Sequence, residues 1–551
     1  MAALDRRVGL LFALFLLLFG VVLARSIWLQ AIRGGELSVE ARSQQVSEIL
    51  VPGSRGRILD RNGVELAVSE DASSVFATPY QVDDPARAAR KLAPLLEEDP
   101  DRLTEVLTDR ESGFAYLARK VDLATAERVS KLRIEGIGVL PDSRRIYPEG
   151  ELAAQLVGAV GIDNQGLTGL EAIHEELLHG SDGEREVTRD ALGEEIERET
   201  LEAATTGEDL RLTLDTSLQA HTEGVLAELG GTYSPAGATA VVMDPRNSHV
   251  LALANWPPFE PEKVGSATED QLLERGTGFT YEPGSTFKAF TVAGALEDGL
   301  VKPSTPFHLP PVLEVADRRI HESHPRGFAT LTVADILAQS SNVGAVTIGL
   351  KLGAERFDEW VRQFGFGEPT GVLPAGEEQG IVLDPEDYSG STMGNLPLGQ
   401  GLSVTPIQMA AAYAAIANGG VVREPQLVLE QAGEKVTPDE GERVISERTA
   451  AEVRSMLEGV LAPGGTASEV SVDGYELAGK TGTAEKVVDG RYSKTRFIAS
   501  FVGFAPADDP ELLVVVVVDE PEGEYDGGSV AAPAFGEIAE FALPYLGIAP
   551  Q

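Results

Sequence analysis

Tyr281-Glu-Pro-Gly-Ser-Thr-Phe-Lys288 runs directly into the apolar stretch Ala289-Phe-Thr-Val-Ala-Gly-Ala-Leu296. Pro283 and Gly284 break whatever precedes them, and the apolar run continues as a helix, so Ser285 stands at a helix start. On a helix, residues three apart share a face, which brings the Lys288 amine within reach of the Ser285 hydroxyl. A neutral lysine there takes the serine proton and makes a nucleophile without any histidine. The helix N-terminus adds positive potential and backbone N–H donors beside the attacked carbonyl. Alone the pair says little, because about one or two Ser-x-x-Lys matches are expected by chance in a chain of this length.

Two further elements follow in order, Ser340-Ser341-Asn342 and Lys480-Thr481-Gly482-Thr483. S-x-x-K, S-x-N and K-T-G in that sequence form the motif set of the serine acyltransferases that recognise penicillin. On these residues the chain resembles a class B penicillin-binding protein. The resemblance extends over nearly the whole chain, through Arg55-Gly-Arg-Ile-Leu-Asp-Arg-Asn-Gly-Val-Glu-Leu-Ala67, Arg145-Ile-Tyr147-Pro148 and Gly166-Leu-Thr-Gly169-Leu-Glu171. Ser340-Ser-Asn-Val-Gly344 and Gly399-Gln-Gly-Leu-Ser-Val-Thr-Pro-Ile-Gln408 resemble the cell-division branch. The elongation branch more often carries an aspartate where Asn342 stands.

Length and composition fit that picture. A chain of 551 residues, 43% apolar, has room for two or three domains with substantial cores. Cysteine is absent, so disulfides and thiolate metal sites are excluded. His174-Glu-Glu-Leu-Leu-His179 has its histidines five apart rather than four, and His321-Glu-Ser-His324 lacks a third ligand nearby. Both read as surface or satisfied histidines. The net charge of −42 argues against nucleic-acid binding, which needs a basic footprint. Acidic runs such as Glu194-Glu-Ile-Glu-Arg-Glu199 and Asp439-Glu-Gly-Glu442 read as solvated surface.

Val8 to Ala24 carries no charge, close to the shortest stretch that crosses a bilayer, and Ser26-Ile-Trp-Leu29 extends it if Arg25 snorkels. Arg6 and Arg7 ahead of it place the N-terminus in the cytoplasm, with Trp28 in the far interface. The competing reading is a signal peptide cleaved after Val22-Leu23-Ala24, but the apolar run is longer than a signal core. Either way the remainder is exported, to the periplasm or the outside of the cell.

Three segments follow: residues 1–30 as short tail and transmembrane anchor, 31–205 as a non-catalytic pedestal of the dimerisation type, and 206–551 as the transpeptidase domain. In the pedestal, Ala86–Leu96 and Thr125–Leu132 have a helical apolar period. Gly207–Asp215 alternates as a strand at the junction. Thr239–Asp244 and Val250–Asn255 flank a turn at Pro245-Arg-Asn-Ser248, and Phe497–Phe504 and Leu512–Val518 are apolar strands near the far end. Thr405-Pro406-Ile407-Gln408 supplies an N-cap, a proline at N1 and a capping-box glutamine, and Asn418-Gly-Gly420 ends that helix. Strands at both ends with helices between predict an α/β (α+β) fold with one antiparallel sheet covered by helices, as in the family.

The resemblance implies roles. Ser285 attacks a peptide carbonyl and becomes acylated, with Lys288 as base. Its pKa must fall through burial or a nearby cation, and Lys480 is the obvious second cation. Ser340 relays a proton, and Asn342 orients Lys288 and the substrate backbone. Gly482 allows close approach of an extended peptide. Thr481 and Thr483 offer hydroxyls to a substrate carboxylate, and the N–H groups of Ser285 and Thr483 form the oxyanion hole. The structural alternative for Ser340 and Asn342 is helix capping, and for Glu485 and Lys486 a solvated strand end. The implied substrate is the D-Ala-D-Ala end of a peptidoglycan stem peptide on a lipid-linked precursor, cross-linked through a serine acyl-enzyme, with β-lactams as covalent inhibitors and no metal or organic cofactor. No glycosyltransferase-sized region precedes the pedestal, so the expected partners are a polytopic membrane glycosyltransferase and other division proteins. Alternatives share the motifs: an elongation-type transpeptidase, a β-lactamase, which needs no pedestal or anchor, and a membrane-bound β-lactam sensor, which needs a cytoplasmic signalling domain.

Overall fold

Leu512–Val518, β-branched and free of charge, predicts a strand buried on both faces, and every residue of the observed strand Leu512–Asp519 is buried. In the computed structural model, which describes residues 2–32, 46–189, 195–488 and 490–551, that strand is the centre of a five-stranded sheet. Its members are β1 (Gly237–Asp244), β2 (His249–Trp256), β3 (Ala478–Val488), β4 (Arg491–Ala505) and β5 (Leu512–Asp519). The order is β2-β1-β5-β4-β3, with every neighbouring pair antiparallel. The predicted sheet is therefore present, and its two ends of chain meet where β1 pairs with β5, Val517 opposite Thr239. β3 is an edge strand, bonded to β4 with Thr483 opposite Ala499.

The helices of this part of the chain include α1 (Thr216–Tyr233), α2 (Lys288–Glu297), α3 (Asn342–Leu352), α4 (Pro406–Ala417), α5 (Glu447–Glu458) and α6 (Gly527–Tyr545). Helices α1 and α6 touch each other; α1 packs on β2 and α6 on β4 and β5. Helix α4 packs on β1 and β5. Its start is as read: the Thr405 hydroxyl accepts from Gln408 N, the Gln408 side chain caps back, and Pro406 opens the helix. All its residues are buried, which explains why it is apolar all round rather than amphipathic.

The chain divides into two compact units that are not consecutive in sequence. One holds Met1–Ser54, Glu70–Arg144 and Gly180–Gly207, the other Arg55–Ser69, Arg145–His179 and Glu208–Gln551. The first has its own small core of Val75, Leu92, Leu103, Leu107, Leu117 and Val129. Helices Pro85–Leu96 and Leu123–Lys131 are there, each begun by an aspartate that accepts a backbone N–H, Asp84 and Asp122. The side chains of the acidic run 194–199 lie outside the described residues. The junction strand is shorter than read, Leu210–Leu212, and lies between Ile58–Leu59 and Val428–Gln431 in the second unit.

The three N-terminal segments that carried the resemblance converge inside that second unit. Arg55 Nε donates to Glu171 Oε2 at 2.9 Å and Arg145 Nε to Glu171 Oε1 at 2.6 Å, with all three side chains buried. Arg55 also reaches Glu175 at 2.6 Å. One carboxylate thus holds two guanidinium groups from distant stretches, a charge-assisted knot that is costly to open from one side.

The N-terminal helix, Ala2–Ile27, runs on into a π-helical turn, Trp28–Ile32, and the two together hold the one segment among the described residues, Arg6–Gln30, long and apolar enough to cross a membrane. It has a mean hydropathy of 2.5 and none of it is buried. At 1.5 Å per residue its 25 residues reach about 37 Å, more than a hydrocarbon core. At its far end the Arg25 guanidinium lies 4.6 Å from the centre of the Trp28 ring. The length and composition are those of a single-pass membrane anchor.

Candidate active site

Pro283 and Gly284 lead into a single 3-10 turn, Gly284–Phe287, that feeds α2 at Lys288. In such a turn residues three apart eclipse, so the Ser285 and Lys288 side chains leave on one side more directly than a regular helix allows. The turn is pinned from behind. Tyr413 OH donates to Thr286 O at 2.6 Å, Thr286 Oγ1 to Pro283 O at 2.7 Å and Gly284 N to Gly399 O at 3.0 Å. Phe287 and Phe290 bury their rings against Phe364, Phe366 and Tyr413. Ser285 is left half-buried in a cleft that it shares with Gly284, Asn342, Gln400, Thr483 and Phe497.

Lys288 is 1% exposed. Its Nζ donates to Ser340 O at 2.7 Å, Ser340 Oγ at 3.1 Å and Asn342 Oδ1 at 2.7 Å. Burial pulls its pKa down to about 7; the Glu322 carboxylate pulls the other way and the Arg326 cation adds to the fall. Lys480 is fully buried, donating to Thr481 O at 3.1 Å. Burial first, then the charge of Lys288, holds its pKa well below the ordinary value, against the pull of Asp526. A lysine whose charge is disfavoured by desolvation has the chemistry of a general base. At Lys288 burial dominates, and the cation that assists it is Arg326 rather than the expected Lys480.

The Ser-Ser-Asn segment divides its labour. Ser341 is the N-cap of α3, its hydroxyl accepting from Gly344 N at 3.0 Å. That leaves Ser340 and Asn342 facing Lys288. Ser340 has φ +57, a left-handed backbone that costs a non-glycine residue roughly 1–3 kcal/mol. In that conformation both its carbonyl and its hydroxyl bond the lysine.

Sequence reasoning missed the residues that hold this segment. Glu322 Oε2 accepts from Asn342 N at 2.8 Å and Oε1 from Ser341 Oγ at 2.7 Å. Arg326 Nη2 donates to Glu322 and, at 2.6 Å, to Ser341 Oγ. Asn342 Nδ2 donates to His321 O at 2.9 Å, which fixes the amide with its oxygen toward Lys288. The stretch His321-Glu-Ser-His324 drew notice for its histidines; its carboxylate and a backbone carbonyl are what touch the site.

On β3, a Cβ at Gly482 would stand 2.3 Å from Ser500 Oγ and 2.9 Å from Pro283 O. The glycine therefore makes room for the nucleophile turn and for β4, a close approach within the protein itself. Thr483 Oγ1 donates to Asp526 at 2.8 Å and accepts from Gly527 N at 3.0 Å. The Thr481 and Thr466 hydroxyls lie 2.7 Å apart. Neither Thr466 nor Asp526 belongs to a motif. Lys486 is not a solvated strand end: its Nζ bonds both Asp519 oxygens, at 2.8 and 2.9 Å, and Glu520 at 2.7 Å. Glu485 pairs with Lys494 at 3.2 Å.

Comparison with known proteins gives the family of the chain. Residues 238–540 match the penicillin-binding protein transpeptidase domain, and residues 50–212 the penicillin-binding protein dimerisation domain. The chain is 37% identical to stage V sporulation protein D of Bacillus subtilis, over 98% of this chain and 86% of that protein. It is 34% identical to the peptidoglycan D,D-transpeptidase FtsI of Escherichia coli, over 99% and 92%. A crystal structure of a peptidoglycan synthetase from Bifidobacterium adolescentis superposes with a TM-score of 0.72 at 30% identity, over 92% of this chain and 98% of that one. Penicillin-binding protein 3 of Mycobacterium tuberculosis in complex with aztreonam gives 0.71 at 28%, over 91% and 98%. The chain belongs to the class B penicillin-binding proteins.

Proposed function

We propose that the chain is a peptidoglycan D,D-transpeptidase of the division septum, acting through an acyl-enzyme on Ser285. The observation that carries this reading is Lys288, buried three residues after that serine and held by Ser340 and Asn342, with its pKa drawn down to about 7. Neutral Lys288 takes the Ser285 proton as Oγ bonds to the carbonyl carbon of the penultimate D-alanine. The carbon–nitrogen bond to the terminal D-alanine then breaks, and that amine leaves with a proton passed through the Ser340 hydroxyl. The amine of a neighbouring stem peptide attacks the resulting ester and gives up its proton to the lysine, which returns it to the Ser285 Oγ as the acyl carbon–Oγ bond breaks. Backbone N–H groups of Ser285 and Thr483 stabilise the oxyanion in both halves, while Thr481 and Thr483 receive the terminal carboxylate and buried Lys480 holds the Thr481 carbonyl at that end of the cleft.

A β-lactam enters the same first half and stays as a stable ester. In this reading residues 1–30 anchor the protein with its N-terminus in the cytoplasm, 31–205 form the pedestal and 206–551 the transpeptidase domain on the outer side. The septal role is supported by Ser340-Ser-Asn-Val-Gly344 and by the relation to FtsI; its partner is a polytopic membrane glycosyltransferase. The test is fluorescent-penicillin labelling of membranes expressing the chain, with and without Ser285. Label that depends on Ser285 supports the reading, and rapid turnover of the bound drug points to a β-lactamase instead.

A further inference from the structure

The lining of the cleft around Ser285 is richer in cations than the chain as a whole. The net charge is −42, yet Arg318, Arg319 and Lys494 line the cleft against a single carboxylate, Glu485. Two of these cations are engaged: Lys494 with Glu485 at 3.2 Å and Arg319 with Glu314 at 3.7 Å, both in exposed pairs. Arg318 is half-buried and, among the described residues, has no carboxylate within 4.0 Å. Its Nη2 donates to Gln400 Oε1 at 3.3 Å and its guanidinium lies 5.8 Å from the centre of the Tyr492 ring. Glu282 feels the Arg318 charge, but its Oε1 is already held by Gly401 N at 3.0 Å and Tyr492 OH at 3.1 Å.

The position of Arg318 follows from the register of the edge strand. β3 runs outward from the buried Lys480, past Thr483 beside Ser285, to Val487, which pairs with Tyr492 on β4. Arg318 lines the same cleft as Ser285 and Thr483, on the side of Gln400 and the Tyr492 ring, toward this outer end of the strand. A donor peptide with its terminal carboxylate at the Thr481 end and its scissile carbonyl at Ser285 sends its upstream residues toward that guanidinium. Gln400 fixes one nitrogen, and the remaining N–H groups have the fork geometry that suits a carboxylate.

We propose that Arg318 is a specificity-determining residue that reads a free carboxylate on the donor stem peptide, upstream of the bond that is broken. This rests on the transpeptidase reading above. Two sources carry that chemistry, the side chain of a diamino diacid at the third residue and the α-carboxylate of a γ-linked glutamate at the second. In a chain of net charge −42, a cation in this cleft also favours the entry of such a donor.

The experiment uses the full chain in detergent and activated-ester stem peptides as donors, with Ser285 acylation followed by competition against fluorescent penicillin. Four donors are compared: both carboxylates free, the third-residue group amidated, the second-residue group amidated, and both amidated. Wild type is expected to prefer the free acid at one of these positions by about tenfold or more, and added salt to narrow the gap. Arg318→Gln should bring that ratio to about one, with Arg318→Lys retaining part of it; penicillin labelling reports that each variant is folded. A wild type indifferent to both amidations, or an Arg318→Gln variant that slows acid and amide donors alike, overturns the inference. Absence of Ser285 labelling by any donor or by penicillin overturns the transpeptidase reading instead.

Discussion

Lys288 Nζ and Asn342 Oδ1 lie 2.7 Å apart, and the other end of that amide donates to His321 O at 2.9 Å. The lysine is thus met by a neutral dipole. Asn342→Asp would put a charge there and remove the donor to His321, raising the Lys288 pKa and favouring its protonated form. The expected result is slower penicillin acylation at pH 7 that recovers at higher pH, read from acylation rates across pH 6–10. A variant with an unshifted profile would show that Asn342 has no electrostatic hold on the base.

In the wild type, acylation should rise about tenfold per pH unit below a midpoint near 7 and level off above it, because only neutral Lys288 accepts the proton. The same depression has a stability signature. Between about pH 7 and a lysine's ordinary 10.5 the unfolded chain holds a proton on Lys288 that the folded chain lacks. Since the unfolded state binds more protons, this group's contribution makes stability rise with pH across that window. Lys288→Met should flatten that part of the curve and slow acylation by roughly a hundredfold or more. A Met variant that acylates within tenfold of wild type assigns the base elsewhere.

Ser285→Ala should abolish covalent penicillin labelling without lowering the unfolding temperature, since the turn is held by Thr286, Tyr413 and Gly399 rather than by the serine hydroxyl. Label that persists on another serine would reject the nucleophile.

Glu171→Ala takes the carboxylate from buried Arg145 and leaves buried Arg55 with Glu175. The expected cost is about 3–5 kcal/mol, measured by denaturant unfolding of the full chain. A loss below about 1 kcal/mol would mean that water readily takes the place of the carboxylate.

If residues 1–30 are an uncleaved anchor, the purified protein begins at or near Met1 and stays in the membrane fraction after a carbonate wash; a start at Arg25 shows cleavage. Depletion should give filaments with unfinished septa. Rounded cells that still divide would move the enzyme to elongation.

The sheet was legible because its strands are unbroken runs such as Leu512–Val518, and α4 because its cap chemistry is local: Thr405, Pro406 and Gln408 lie within four positions. The cleft residues Ser285, Asn342 and Thr483 are found by their motifs. What surrounds them is not, because Glu322, Arg326, Thr466 and Asp526 come from loops and helix ends with no periodic pattern, and their partners lie on other segments of the chain. The left-handed turn at Ser340 and the cap at Ser341 are likewise backbone facts, invisible in a three-letter motif. Arg55, Arg145 and Glu171 stand in stretches that sequence could recognise singly, but only folding shows that they share one carboxylate.

The missing side chain at Gly482 bears on drug escape. A substituent there would strike Pro283 O and Ser500 Oγ, and one at Gly399 would come within 2.2 Å of Gly284 O. Both press on the turn that carries Ser285, so a change at either position that keeps a β-lactam out is expected to slow the proposed cross-linking as well. Selection by such a drug is left with the outer rim, at side chains such as Gln400, Glu485, Lys494 and Phe497, where resistance is bought by altering fit rather than chemistry.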